Sequence, residues 1–381
     1  MNTKRSIFEE VDEGAERVVM PAGGVIDGAR KDARGAIRLW LSALGILVVL
    51  MIVVGGLTRL TDSGLSITEW RPVAGALPPI GVEAWEAEFD KYRQIPEYQL
   101  QNEGMTLAEF KTIYWWEWWH RQLGRITGLV WAAGFLFFLA ARRIPAGWTG
   151  RLLLPGALGG VQGVIGWWMV SSGLSGDELD VSSYRLALHL GLAFVILGII
   201  AWQVMLLGRS EVGLLQARRV RDARLLSSAT GLMHLAFLQI LLGALVAGID
   251  AGRTFNDWPG MAGQFFPPAA FDLEPAWRNF MENAGLVQFM HRIAGYLLLA
   301  LGIAFWLRAR RSGNRATRGA FTAVLAILVL QLLLGILTVL YVAPPGLSIL
   351  HQLGAVLLFF MILRARFLAS YPLDQSVRDA A

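Results

Sequence analysis

Glu117 and His120 stand three residues apart in an aromatic stretch, residues 114–125, at the edge of a long apolar run. On a helix this spacing puts both side chains on one face. A carboxylate beside an imidazole can transfer protons or take part in binding a metal ion. Ionisable groups are costly inside apolar segments and usually mark a function. The stretch therefore predicts a reactive site.

Three of the other four histidines belong to the same recurring pattern. The segment His120-Arg121-x-x-Gly124 matches His291-Arg292-x-x-Gly295. In the same way, the segment Gln162-x-x-x-Gly166, which precedes His189, matches Gln331-x-x-x-Gly335, which precedes His351. Gln288 takes the place of Glu117 three residues before the second motif's histidine. Two parts of the chain thus share possible ligands, but only one part has the acid. His234 lies outside the pattern.

The elements that carry these residues are long and apolar. Of the 381 residues, 55% are hydrophobic and 17% are charged, which is too apolar for an ordinary soluble enzyme. A membrane-spanning helix needs roughly 20 apolar residues. Eight such runs begin near Leu39, Trp115, Leu152, Leu186, Leu226, Leu286, Phe321 and Ile349. Because they lack the alternation of a β-barrel, we predict an all-α polytopic membrane protein with eight transmembrane helices.

Basic residues predict the orientation of these helices, because short cytoplasmic loops are rich in Lys and Arg. Basic clusters lie at residues 30–38, 142–143, 209–224, 308–318 and 364–366, whereas residues 173–183 and 343–348 contain none. Both termini are therefore expected in the cytoplasm, with the four patterned histidines at one level near the outer face. The first 37 residues are polar and include Glu9, Glu10, Asp12 and Glu13, unlike a signal peptide or a transit peptide, so we expect a bacterial inner membrane.

The repeats divide the chain into two pseudo-symmetric four-helix bundles. GGLTRLTDSGLSITEW at 55–70 also matches GALVAGIDAGRTFNDW at 243–258. Since matching elements keep their order four spans apart, the halves are expected to be parallel. The predicted divisions are a cytoplasmic arm at 1–37, an N-terminal half at 38–208, a linker at 209–224, a C-terminal half at 225–367 and a cytoplasmic tail at 368–381. The proline-containing loop at 61–112 is expected to be irregular with short helices.

The ligand types point to heme. The absence of cysteine excludes disulfides, thiolate-bound clusters and covalent c-type heme attachment. Two histidines in each half fit two bis-histidine sites, which hold heme iron axially, and Gly124, Gly128 and Gly295 leave flat helix faces for a porphyrin. A di-iron site needs Glu-x-x-His twice, and the second copy here has Gln288. Interhelical hydrogen bonding and plain helix packing are the alternatives, favoured for His234.

Glu117 would act beside such a porphyrin as a base or as an electrostatic stabiliser. Arg121 or Arg125 could bind carboxylates such as heme propionates, and Arg292 corresponds to Arg121 in the other half. The alternative is a helix-stabilising pair of Glu117 with Arg121 within an aromatic belt.

The chain resembles the heme A synthase family in four stretches, which occur in the family's order: GGLTRLTDSGLSITEWRPV, EWWHRQLGR, LLGALVAGIDAGRTFNDWP and QFMHRIAGY. The resemblance implies oxidation of the C8 methyl group of heme O to a formyl group, through a hydroxylated intermediate called heme I, to give heme A for cytochrome oxidase. It implies that His291 and His351 hold a resident heme b, that His120 and His189 face the substrate heme O, and that Glu117 is catalytic. The chain looks like the family's cysteine-free branch of proteobacteria and mitochondria.

Iron with two axial histidines has no open position for oxygen. We therefore expect electrons to leave the substrate porphyrin toward the C-terminal heme, while Glu117 stabilises a cation at the methyl carbon or positions water. The expected partners are heme O, an electron acceptor, heme O synthase, membrane lipid and further copies of the chain, but no nucleic acid, since the basic residues form no single patch.

Two rival functions remain open at this point. A bis-histidine dihaem electron carrier of the cytochrome b type would use both histidine pairs, but it gives no reason for an acid in only one half. A transporter would place its polar site at the bilayer midplane, whereas the polar residues here gather near the outer face.

Overall fold

The computed structural model describes residues 31–174 and 179–375. The α-helices of these residues are α1 (Lys31–Leu60), α2 (Val82–Tyr92), α3 (Pro96–Leu100), α4 (Leu107–Ala140), α5 (Thr149–Val170), α6 (Ser183–Leu207), α7 (Glu211–Arg219), α8 (Ala223–Gly248), α9 (Asn279–Glu282), α10 (Ala284–Ala309), α11 (Arg315–Leu340) and α12 (Pro345–Ser370). Within the described residues, eight of these helices are long and apolar enough to cross a membrane: α1, α4, α5, α6, α8, α10, α11 and α12. The predicted all-α polytopic fold is confirmed.

Polar side chains at the helix starts satisfy backbone N–H groups that the helices leave unpaired. Thr106 and Glu109 form a reciprocal capping box at the start of α4. Asp222, Asn283 and Asn314 cap α8, α10 and α11. These caps determine the residue at which each of these long helices begins. They therefore also determine the height along the helix axis at which each side chain lies.

The membrane-spanning helices form two groups of four. In the N-terminal bundle, α1, α4, α5 and α6 pack in a ring, so that α4 lies across from α6. In the C-terminal bundle, α8, α10, α11 and α12 pack in the same manner, so that α10 lies across from α12. Helices α1, α6, α8 and α12 join the bundles, and the rings of Phe194 and Phe359 meet there at 5.6 Å.

Several helix ends differ from the predicted divisions. Helix α1 begins at Lys31, inside the predicted arm at 1–37, because its amphipathic first turns continue the apolar helix. The predicted linker at 209–224 contains α7, which Ser210 caps. Helix α12 extends to Ser370, beyond the predicted end of the half at 367. Residues 1–30 of the predicted arm and 376–381 of the predicted tail lie outside the described residues.

The loop at residues 61–106, called the first outer loop after its place in the predicted orientation, contains the short helices that its prolines predict. Helices α2 and α3 pack against the start of α4 through a separate apolar cluster. Phe89, Tyr92 and Phe110 are fully buried in it, and the rings of Phe89 and Phe110 stack at 4.8 Å. Burying a large apolar side chain contributes about 1.5–3 kcal/mol. The loop is thus a packed cap on the N-terminal bundle.

Reporter fusions test the predicted orientation. Alkaline phosphatase, which is active only outside the cytoplasm, is expected to be active when inserted after Gly263 and inactive when inserted after Gly313. We expect this result because the Arg-rich connections between helices stay in the cytoplasm. A green fluorescent protein fused after the last residue, as a control, should fluoresce. The reverse pattern would contradict the orientation.

Candidate functional site

The four patterned histidines lie inside the two bundles, two in each. His120 on α4 faces His189 on α6 across the N-terminal bundle, and His291 on α10 faces His351 on α12 across the C-terminal bundle. Each of these four residues is largely buried. His234 on α8 is exposed and belongs to neither pair. The structure therefore brings together the pairs that the repeats predict.

Each of these rings packs against a glycine of the preceding membrane-spanning helix. A Cβ atom added at the glycine would lie 2.8 Å from Cε1 for Gly55 and His120, 2.8 Å for Gly166 and His189, 3.0 Å for Gly243 and His291, and 3.2 Å for Gly335 and His351. The two 2.8 Å approaches leave no room for a Cβ atom, so the positions of the His120 and His189 rings depend on glycine. At Gly243 and Gly335 a Cβ atom would require a shift of a few tenths of an ångström. The same contact in both bundles supports the predicted pseudo-symmetry.

The spacing of the C-terminal pair suits a shared metal ion. The ring centres of His291 and His351 are 6.3 Å apart, and their planes differ by 78°. Two imidazoles on opposite sides of one ion need ring centres roughly 6 Å apart, given metal–nitrogen bonds of about 2 Å. His120 and His189 are close enough to interact electrostatically.

Ring nitrogens in both bundles lack protein partners. Among the described residues, Nδ1 is buried without a hydrogen bond in His120, His189 and His351. The fourth ring, His291, contacts the amide nitrogen of Gln239 at 3.2 and 3.3 Å. A buried polar atom without a partner points to a missing ligand. The paired imidazoles, their unpartnered nitrogens and the glycines against which the rings pack would together suit a heme iron bound by two histidines.

Amide side chains bind the backbone carbonyls of three of the paired histidines. Gln162 donates to the carbonyl of His189 at 2.9 Å, Gln331 to that of His351 at 3.0 Å, and Gln239 to that of His291 at 3.0 Å. The first two are the glutamines of the repeated sequence motif. Their role is therefore to position the ligand helices.

Glu117 is only 3% exposed and accepts four hydrogen bonds. Its Oε1 accepts from Nε and Nη2 of Arg121 at 3.0 and 2.6 Å. Its Oε2 accepts from the Ser66 hydroxyl at 2.8 Å and from the Ile67 backbone N–H at 2.7 Å. These bonds occupy the acceptor sites of a carboxylate. The carboxylate is thus held in place, three residues before a ligand.

Arg121 and Arg292 each bind backbone carbonyls of the outer loop that precedes their helix. The acceptors are Ile67 and Glu69 for Arg121, and Phe255, Asp257 and Gly260 for Arg292. Ile67 and Glu69 match Phe255 and Asp257 in the repeated motif. Both guanidinium groups therefore clamp a loop onto a ligand helix. Their predicted contact with heme propionates stays a prediction, as does that of Arg125, which binds the carbonyls of Arg71 and Pro72.

Gln288 fills the position of Glu117 in the C-terminal bundle. It donates to the carbonyl of Ala251 at 2.9 Å and accepts from Nη2 of Arg292 at 3.2 Å. The amide thus supports the same kind of loop clamp without a charge. The two bundles thus share paired histidines that pack against glycines, but differ by one carboxylate three residues before a histidine.

An ionic bridge between the bundles was not predicted from the sequence. Arg59 at the end of α1 binds Asp62 at 2.8 Å, Asp250 at 2.8 Å and Asp180 at 3.4 Å. Asp62 and Asp250 are the aspartates of the repeated D-x-G, and both have positive φ, 46° and 50°. The recurring D-x-G was the available signal, since it indicates a tight turn. Burial raises the pKa of Asp180, and Arg59 opposes this shift.

Glu97 is a second residue that the sequence did not single out. It is buried in the first outer loop, with Oε1 3.5 Å from the Asn102 amide nitrogen and with Oε2 unbonded within the described part of the chain. Burial raises the pKa of Glu97 to about 8, and the charge of Asp180 adds to the shift while a hydrogen bond from Tyr92 opposes it. No apolar or charge pattern marks such a position in advance.

The fold and the paired histidines define a polytopic helical membrane protein with a two-histidine site inside each bundle. The chain matches the cytochrome oxidase assembly protein family COX15-CtaA over residues 38–363, and it belongs to that family. It is 65% identical to a heme A synthase of Ruegeria pomeroyi, over 99% of this chain and 100% of the relative. It is 64% identical to one of Dinoroseobacter shibae over the whole of both chains, and 61% identical to one of Paracoccus denitrificans over 98% of each. The predicted family is confirmed.

The Glu97 carboxyl provides a test of the loop structure by pH. Between its unfolded pKa, near 4.5, and its folded pKa, about 8, the folded chain holds the proton that the unfolded chain releases. Stability should therefore fall as pH rises through this window, with the full penalty above pH 8. We expect Glu97→Gln to leave the melting temperature unchanged at pH 4.5 and to raise it by roughly 2–6 °C at pH 8.5.

Thermal unfolding of the purified protein at both pH values measures this difference. Glu83→Gln, at an exposed position of the neighbouring helix α2, is the matched control and should change neither temperature. An equal gain for Glu97→Gln at both pH values would show that its effect is not due to ionisation.

Proposed function

We propose that this chain is a heme A synthase, which oxidises the C8 methyl group of heme O to a formyl group by way of heme I. The observation that carries the proposal is the difference between two otherwise matching sites: a fixed carboxylate stands beside one histidine pair, and a neutral amide beside the other. The relatives of 61–65% identity, all named heme A synthase, support it.

The N-terminal bundle is the proposed substrate site, with His120 and His189 on either side of heme O. The C-terminal bundle is the proposed site of a resident heme b, held by His291 and His351. When bound there, heme b supplies a one-electron acceptor. The 6.3 Å spacing of the C-terminal rings and the absence of an acid beside them suit a group that exchanges electrons without reacting.

When a methyl group is oxidised with water as the oxygen source, positive charge develops at the methyl carbon and must be stabilised. Each hydroxylation adds a water oxygen to the methyl carbon attached to C8 and releases two electrons and two protons. Loss of water from the second hydroxylation product leaves the formyl group. Glu117 is proposed to stabilise the positive charge that develops at this carbon, because a preorganised charge in a site of low polarity is most effective in the transition state. Its four hydrogen bonds favour this electrostatic role over proton transfer.

The proposed location is the bacterial inner membrane, with both sites near the periplasmic face. The eight apolar helices and the bacterial relatives support a membrane location. Heme O synthase and further copies of the chain are the proposed protein partners. The division into two heme-binding halves at 38–208 and 225–367 is part of the same proposal, and the matching glycine seats support it.

Product analysis tests the function itself. The chain is expressed in a host that makes heme O but no heme A, and hemes extracted from the purified protein are identified by chromatography with mass detection. We expect heme A or heme I from the native chain and neither from His120→Met. Heme b alone, with heme O unchanged, would contradict the synthase and favour an electron carrier.

Glu117→Gln tests the electrostatic role. The amide keeps the size of the side chain and can hold the loop as Gln288 does, but it lacks the charge. We expect heme A formation to fall about 10²-fold, with heme b content unchanged. Glu103→Gln, at an exposed position of the loop just before the same helix, is the matched control and should keep normal output. Full heme A output from Glu117→Gln would exclude the role.

A further inference from the structure

A cavity of about 880 Å³ lies between the two bundles, at the end where α1 begins and where α6 and α12 finish. This end is cytoplasmic in the predicted orientation. Its floor is apolar and contains Ile199 of α6, Met233 of α8, and Phe359 and Leu363 of α12. Helix α7 borders it through Leu214 and Leu215. The cavity therefore touches both bundles and lies at the depth of the inner lipid leaflet.

The rim of the cavity is strongly basic. Four arginines line it, Arg34, Arg151, Arg218 and Arg366, with Glu211 as the acidic side chain. Arg34 binds Glu211 at 3.0 Å and is thereby neutralised. The other three have no carboxylate partner among the residues that the structure describes. Uncompensated guanidinium groups around an apolar floor favour an anionic amphiphile.

Two tryptophans stack against two of these arginines at the rim of the cavity. The Cζ atom of Arg151 lies 5.0 Å from the ring centre of Trp148, and that of Arg366 lies 4.8 Å from that of Trp202. Cation–π contacts of this length fix the planar groups. Nε of Arg366 donates to the Thr230 hydroxyl at 3.0 Å. The terminal N–H groups of both arginines can bind a phosphate, which guanidinium groups bind with paired hydrogen bonds.

Gln203 supplies an independent sign of a ligand. This cavity-lining residue is 5% exposed, and its amide nitrogen donates to the carbonyl of Arg151 at 2.7 Å. Its Oε1 is buried and accepts no hydrogen bond within the described residues. A buried acceptor without a partner is costly, and a hydroxyl group entering the cavity would satisfy it.

We infer that this cavity binds an anionic phospholipid of the cytoplasmic leaflet whose headgroup carries a free hydroxyl, as phosphatidylglycerol does. The phosphate lies against Arg151, Arg218 and Arg366, and the headgroup hydroxyl donates to Gln203. The acyl chains lie along Phe359 and Leu363. Because the floor belongs to helices of both bundles, a bound lipid stabilises the joint between them, independently of the heme chemistry.

Lipid binding is measured on the full-length protein purified in mild detergent. Native mass spectrometry counts the bound phospholipids, and thermal unfolding is followed while phosphatidylglycerol or phosphatidylcholine is added. We expect one tightly held phosphatidylglycerol per chain, a rise in melting temperature with phosphatidylglycerol, and little change with phosphatidylcholine. The double variant Arg151→Gln/Arg218→Gln should bind phosphatidylglycerol about tenfold more weakly.

Arg219→Gln/Arg310→Gln is the matched control. Arg219 is the neighbour of Arg218 outside the cavity, and Arg310 also stacks on a tryptophan, at 5.0 Å. This variant removes the same charge near the same face and should keep native binding. The assignment would be overturned if both lipids raised the melting temperature equally, or if both double variants bound phosphatidylglycerol equally weakly. It would also be overturned if Arg151→Gln/Arg218→Gln alone lost a quinone or a heme.

Discussion

The need to hold two imidazoles opposite each other inside an apolar bundle governs this structure. The ligand helices must stand across the bundle from each other, because neighbouring helices pack too closely to leave room between them. Glycines on the remaining two helices let each ring approach backbone, as Gly243 does for His291. The glutamines then fix the ligand backbones from neighbouring helices. Apolar packing elsewhere serves to keep this frame rigid.

The outer loops also help to hold the helices that carry the paired histidines. Arg121 and Arg292 tie loop carbonyls to the ligand helices, at matching positions of the repeat. Within this shared frame, the exchange of a carboxylate for an amide changes the electrostatics of one bundle only. In the proposed function, the repeated histidine frame serves one heme that reacts and one that only exchanges electrons, without a change of fold.

Much of this arrangement could be predicted from the sequence, because it depends on local signals. Apolar length predicts the eight helices, and repeated spacing predicts the histidine pairs. The roles of Arg121 and Arg292 were not predictable, since a basic residue near a ligand suits a propionate or a loop carbonyl equally. The bridge from Arg59 to Asp250 and the cavity at Gln203 join segments far apart in sequence. Only tertiary packing brings such groups together.

If the two bundles hold different hemes, loss of one histidine should remove one heme and spare the other, which heme analysis of single variants measures. In a host that supplies heme b and heme O, His351→Met is predicted to lose heme b. His189→Met is predicted to keep heme b at the native level and to form no heme A. Loss of the same heme from both variants, or heme A formation by His189→Met, would contradict the account.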